Sequence, residues 1–199
     1  MKKIIKNSLE KSMTYFEFKD LVSKLIQQEK STGINQSETL LNYSTLNERR
    51  MKRLDKTIKL TEQTINVVSK INKKITFLVL MESWCGDGAQ TLPIMNKIAE
   101  LSPNINFKIV LRDENNELMN QFLTNGGKSI PKLIFLDQDN LEVLKSWGPR
   151  PSFATEMVND YKKEHGVLDA NFKKDLQVWY NKDKGISTQK DLVELLLSL

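Results

Sequence analysis

A single cysteine, Cys85, stands in a chain of 199 residues. It lies in Met81-Glu82-Ser83-Trp84-Cys85-Gly86-Asp87-Gly88, between a solid apolar run and an amphipathic one. The run 75–81 is continuous and rich in branched side chains, the pattern of a strand buried on both faces. After the cysteine, Leu92, Met95, Ile98, Ala99 and Leu101 recur at helical spacing. Cys85 is therefore expected on a strand-to-helix turn. There, unpaired backbone N–H groups and the positive end of the helix dipole favour the thiolate, the nucleophilic form of sulfur. An inert cysteine would sit more naturally inside the strand. Asp87 either caps a helix beginning at Gly88, its ordinary role, or takes protons from Cys85 or its partner. A carboxylate so close also raises the thiol pKa, against the dipole. Glu82, the other nearby acid, reads as solvated at the strand end.

The turn Trp84-Cys85-Gly86-Asp87-Gly88, with Pro93 eight residues after the cysteine, resembles the active-site turn and kinked first helix of thioredoxins, whose motif reads Trp-Cys-Gly-Pro-Cys. Ser129-Ile130-Pro131, ahead of the strand 132–136, resembles their cis-proline loop. Trp147-Gly148 resembles the glycine that closes the substrate groove. The resemblance covers residues 73–165 and implies an α/β, thioredoxin-like fold, a central mixed sheet flanked by helices. By the same resemblance Cys85 attacks and Pro131, in a cis bond, presses on the sulfur face. Ile130 leaves its backbone to an extended substrate, and Trp84, Gly86 and Gly148 complete the groove. Arg150, just beyond, either reaches a carboxylate of a small thiol or peptide or forms a surface salt bridge.

Two departures limit what carries over. Gly88 occupies the second-cysteine position, so no disulfide can form within the chain, and Val79 replaces the buried acid of thioredoxins. A mixed disulfide on Cys85 is then resolved only by a thiol from outside. The expected function is a monothiol thiol–disulfide oxidoreductase that acts on protein or low-molecular-weight disulfides. It needs no bound cofactor beyond an external low-molecular-weight thiol. One alternative is a non-catalytic binding or scaffold protein holding a peptide by Pro131. Another is iron–sulfur carriage, since Cys-Gly-Asp-Gly is similar to the Cys-Gly-Phe-Ser turn of monothiol glutaredoxins, though Trp84 and Ile130 fit thioredoxins better.

Net charge is +5, and the densest basic patch, Arg49-Arg50-Met51-Lys52-Arg53, has no interleaved aromatics. It reads as a solvated helix face and not as a nucleic-acid site. With one histidine, His165, read as a helix C-terminal cap, and one cysteine, the chain assembles no zinc site of the usual kind. The signal-like start breaks at Lys6, Asn7 and Glu10, and no long uncharged apolar run follows. These features and the unpaired thiol point to a cytoplasmic protein, with no membrane partner, as a monomer or weak dimer.

Three segments are expected: an N-terminal helical extension (1–72) packed on the core, the thioredoxin-like core (73–165) and a C-terminal helical extension (166–199). In the first, residues 8–30 are helical after a turn near Thr14, with Phe16, Phe18 and Leu21 docking. A polar connector follows over 31–45, with a helix start possible at 35–38. One long helix should span 46–71, its seam Met51, Leu54, Ile58, Ile65 and Val68 with Thr61 filling the gap, packed on the protein's own surface. Residues 105–111 form a second central strand, completing a βαβ unit. Residues 132–137 and 141–147 form a hairpin. Phe153, Met157, Val158 and Tyr161 mark a covering helix. Phe172, Leu176, Trp179 and Tyr180 lie in the first of two tail helices as core or docking surface.

Overall fold

Every residue of Ile75–Met81 is buried, and this strand, β1, is hydrogen-bonded on both edges. It runs parallel to β2 (Ile105–Leu111) and antiparallel to β3 (Lys132–Asp137), so that Val79 pairs with both Ile109 and Leu133. β4 (Val143–Trp147) pairs with β3, giving the order β2-β1-β3-β4. The computed structural model describes residues 1–199. Four helices precede the sheet: α1 (Lys2–Glu10), α2 (Tyr15–Gln27), α3 (Glu38–Thr57) and α4 (Glu62–Val68). α5 (Gly86–Ala99) crosses from β1 to β2, and α6 (Asn116–Asn120) follows β2. α7 (Ser152–His165), α8 (Ala170–Asp183) and α9 (Ile186–Leu197) close the chain. The result is the expected mixed sheet flanked by helices, in a thioredoxin-like fold with helical extensions.

Four sequence expectations are corrected. β2 is an edge strand, not a central one; the Met13 backbone closes part of its free edge by exchanging two 2.8 Å hydrogen bonds with Ile109. The helix expected over 46–71 starts earlier and breaks. Ser37 caps α3 by accepting the Leu40 N–H, and Ile58 turns extended at ψ 131°. Thr61 fills no seam; it caps α4 by accepting the Thr64 N–H. The backbone freed by the break is satisfied from elsewhere, as buried peptide groups require. Lys97 donates to the Ile58 carbonyl (2.8 Å), and Gln189 accepts the Thr61 N–H (2.8 Å) while donating to the Lys59 carbonyl (3.2 Å). Such long-range partners are invisible to helical periodicity. Finally, Phe16 is 69% exposed while Phe18 is fully buried, because the capping box of Thr14 and Glu17 sets the phase of α2.

One core of 36 buried residues runs from Ile5 to Leu196, so helices near both ends share the apolar interior of the sheet. α8 differs: its buried Phe172, Leu176 and Tyr180 pack with Ala154 and Val158 of α7 in a separate cluster. Phe18→Ala should therefore lower global stability by about 3–5 kcal/mol, the usual cost of emptying a buried phenylalanine site. Urea unfolding followed by circular dichroism should show one shifted transition. A new early transition with the main midpoint unmoved would show that α2 is not part of the core.

Candidate active site

The chain leaves β1 at Met81 and turns through Glu82, Ser83 and Trp84 before α5 begins. Residues far upstream hold this turn. The Ser83 N–H donates to Thr32 Oγ1 (2.7 Å), Asn47 Nδ2 donates to the Ser83 carbonyl (2.9 Å), and the Ser83 hydroxyl shares hydrogen bonds with Thr32 and Ser44. Trp84 turns toward the same segment: its indole N–H donates to the Thr32 carbonyl (3.2 Å), and the Arg112 guanidinium lies 4.8 Å from its ring centre. Glu82 is not solvated at the strand end. It is fully buried, with Oε1 accepting the Asp113 N–H (2.9 Å), and burial raises its pKa. The chain around Gly33 and Asp113 covers it.

Cys85 is the N-cap of α5, as its expected place on the turn requires. Its Sγ accepts the Gly88 N–H (3.4 Å) and donates to the Ile130 carbonyl (3.2 Å), next to a cis Ile130–Pro131 bond. α5 starts at Gly86, so Asp87 lies in its first turn and does not cap it. One Asp87 carboxylate oxygen pairs with the Arg150 guanidinium (2.8 Å), and the other accepts the Tyr180 hydroxyl (3.0 Å). Arg150 thus meets a carboxylate of its own chain in an interior pair. Gly148, at φ 111°, lies against the Pro131 carbonyl, and a side chain there would collide with it. The Gly148–Pro149 bond is also cis. At Gly88, the second-cysteine position, a Cβ would meet the Met81 side chain, which fills that space.

The structure brings Cys85, Gly86, Asp87, Ile130, Pro131, Gly148 and Arg150 together, and it adds residues that sequence reasoning missed. Tyr180, 4% exposed, comes from α8. Gln177, one turn earlier, accepts a hydrogen bond from Gln90 (2.9 Å) and lies over Gly86 together with Arg50 of α3. Tyr180 looked like any aromatic on an apolar helix face, and no local motif ties α8 to Asp87. His165 stands in the last turn of α7 beside Tyr161, while Gly166 forms the cap.

Electrostatics run against the thiolate expected from the turn. Burial, and then the Asp87 charge, push the Cys85 thiol from an ordinary 9.0 up to about 12, outweighing the Gly88 N–H and Arg150. Burial likewise raises the Asp87 carboxyl, opposed by Arg150 and the Tyr180 hydrogen bond. The Tyr180 phenol is raised by burial and the Asp87 charge. A helix N-terminus is worth about a kcal/mol or less at the surface, whereas removing a charged group from water costs several. Burial wins.

A thiol-bearing turn between a central strand and a helix, facing a cis-proline loop, defines a thioredoxin-type protein. Residues 33–162 match the thioredoxin family, and the chain belongs to it. The match begins 40 residues before the resemblance at 73, taking in α4 and also α3, whose Asn47 and Ser44 hold the turn. No curated protein matches the chain. Two crystal structures share its fold at a TM-score of 0.59: an HIV epitope-scaffold, 17% identical over 94% of this chain and 99% of its own, and a Pseudomonas aeruginosa protein of unknown function, 16% identical over 94% and 98%. No helix is long and apolar enough to cross a membrane.

Because the folded thiol titrates above the unfolded one, the folded state keeps a proton that the unfolded state releases. Stability from this group is present below the ordinary pKa of 9.0 and is lost as pH rises toward about 12. The loss approaches about 1.4 kcal/mol per pH unit within that window. Unfolding free energies from pH about 8 to about 10.5 should fall more steeply for the wild type than for Cys85→Ser, which has no proton to release. Parallel curves would mean that the thiol is not shielded in the folded protein.

Proposed function

We propose that the protein is a monothiol thiol–disulfide oxidoreductase in which Cys85 forms mixed disulfides that an external thiol resolves. The observation that carries this reading is the position of Sγ, held between the first turn of α5 and the Ile130 carbonyl. A disulfide entering along 130–131 would meet the sulfur there. Cys85 loses its proton, and its sulfur attacks RS–SR′. The Cys85–S–S–R bond forms as the S–S bond of the substrate breaks, and R′S⁻ takes up a proton. A second thiolate, R″S⁻, then attacks the R sulfur, releasing RS–SR″ and the Cys85 thiolate, which is reprotonated. Asp87 accepts and returns the proton, held by Arg150 and Tyr180. Gly86, Ile130, Pro131 and Gly148 shape the groove, and Trp84 braces the turn.

The raised pKa sets the tempo. Moving a thiol from 9.0 to about 12 lowers its thiolate fraction at neutral pH about 1,000-fold, while the more basic thiolate gains only roughly 30-fold in nucleophilicity, a net slowing of about 30-fold. The same basicity makes Cys85 a poor leaving group, so the mixed disulfide is long-lived. That shielding is the observation favouring a second reading, a binding protein whose groove holds a partner without chemistry. Incubation with oxidised glutathione or another low-molecular-weight disulfide, followed by intact-mass measurement, separates the two. The oxidoreductase reading expects one adduct on Cys85, reversal by added reduced thiol and no adduct on Cys85→Ser. Absence of any adduct, with partners retained equally by Cys85→Ser, would transfer the conclusion to the binding reading.

A further inference from the structure

Beside the thiol site, the break between α3 and α4 and the junction of α8 and α9 enclose a second cavity of about 580 Å³, within the size range of small-molecule sites. Leu54, Ile58, Leu60 and Ile186 give it apolar walls. Tyr180 also lines it, and because the phenol hydroxyl is committed to Asp87 at 3.0 Å, Tyr180 contributes its ring and no free polar group. The rim carries Arg53, Lys59 and Lys184, and no acidic residue lines the cavity. None of the three cations makes an ion pair: Arg53 donates to the neutral Asn181 amide (2.7 Å). The Ile58 and Lys59 carbonyls already accept hydrogen bonds from Lys97 and Gln189.

An apolar interior lined by three positive charges and no acidic residue favours an anionic ligand with an apolar body. We propose that this cavity binds a small amphipathic carboxylate, its apolar body against Leu54, Ile58 and Tyr180 and its anionic head among Arg53, Lys59 and Lys184. An anion meets positive charge that no carboxylate of the chain pairs, and burial of the chain supplies the rest of the affinity. The site does not depend on Cys85 reactivity.

Calorimetric titration of the full-length protein with octanoate, octylammonium and octanol tests this. Octanoate should bind at least about tenfold more tightly than octylammonium, with octanol between them, and added salt should narrow the gap. Arg53 and Lys184 are exposed, so the double variant Arg53→Gln, Lys184→Gln should fold normally. It should weaken octanoate binding about tenfold, the effect of two rim charges. Cys85→Ser should bind octanoate as the wild type does. Equal affinity for octanoate and octylammonium, no binding at millimolar octanoate, or an unchanged affinity in the double variant would overturn the proposal.

Discussion

Strand β1 is hydrogen-bonded along both edges and covered on both faces, so the chain leaving Met81 has to turn inside the protein. A turn made there cannot be solvated, and its peptide groups must find partners in the fold. Thr32, Ser44 and Asn47 supply them for Ser83, while the Thr32 carbonyl and Arg112 hold the Trp84 indole. Thr32, Ser44 and Asn47 come from α3 and the segment before it, and Arg112 follows β2. The family match, over residues 33–162, takes in α3 with its Ser44 and Asn47. Cys85 is placed by the same constraint: it ends a buried turn, so its sulfur faces the Ile130 carbonyl and not open solvent.

Placing a thiol and a carboxylate together in such surroundings has an electrostatic cost, and charge pairing offsets it at Asp87. Arg150 and the Tyr180 hydroxyl divide the two oxygens of Asp87 between them. An unpaired buried carboxylate would be strongly destabilising, whereas a pair with additional hydrogen bonds can be tolerated. The thiol has only the Gly88 N–H and the Ile130 carbonyl, and it stays protonated at rest. α8 contributes to this state without joining the main core. Its apolar face packs on α7, and its contacts with the turn and with α3, through Tyr180, Gln177 and Asn181, are polar.

Much of the fold could be read from local pattern. The double-sided burial of 75–81 marked the central strand, and the cis-proline loop and the glycine before Pro149 lay where the motifs indicated, since each signal is carried by neighbouring residues. Where the structure departs from local pattern, the cause is contact over long sequence distance. Periodicity over 46–71 could not show that Lys97 and Gln189 would stabilise a break at 58–61. Position at a helix start suggested a thiolate at Cys85, but the burial that reverses this comes from the Ile130 loop and from elements packed around the turn. Asp87 and Arg150 each stand out in the sequence, yet nothing local indicates that they pair with each other, or that Tyr180, 93 residues beyond Asp87, joins them.

The central claim is that burial keeps the resting Cys85 neutral at physiological pH. With a single cysteine in the chain, labelling with cysteine enriched in ¹³C at Cβ gives one NMR signal whose shift reports thiol or thiolate directly. The account predicts a thiol signal that does not move between pH about 6 and about 9. A titration midpoint at or below the roughly 8.5 of a free cysteine would contradict it.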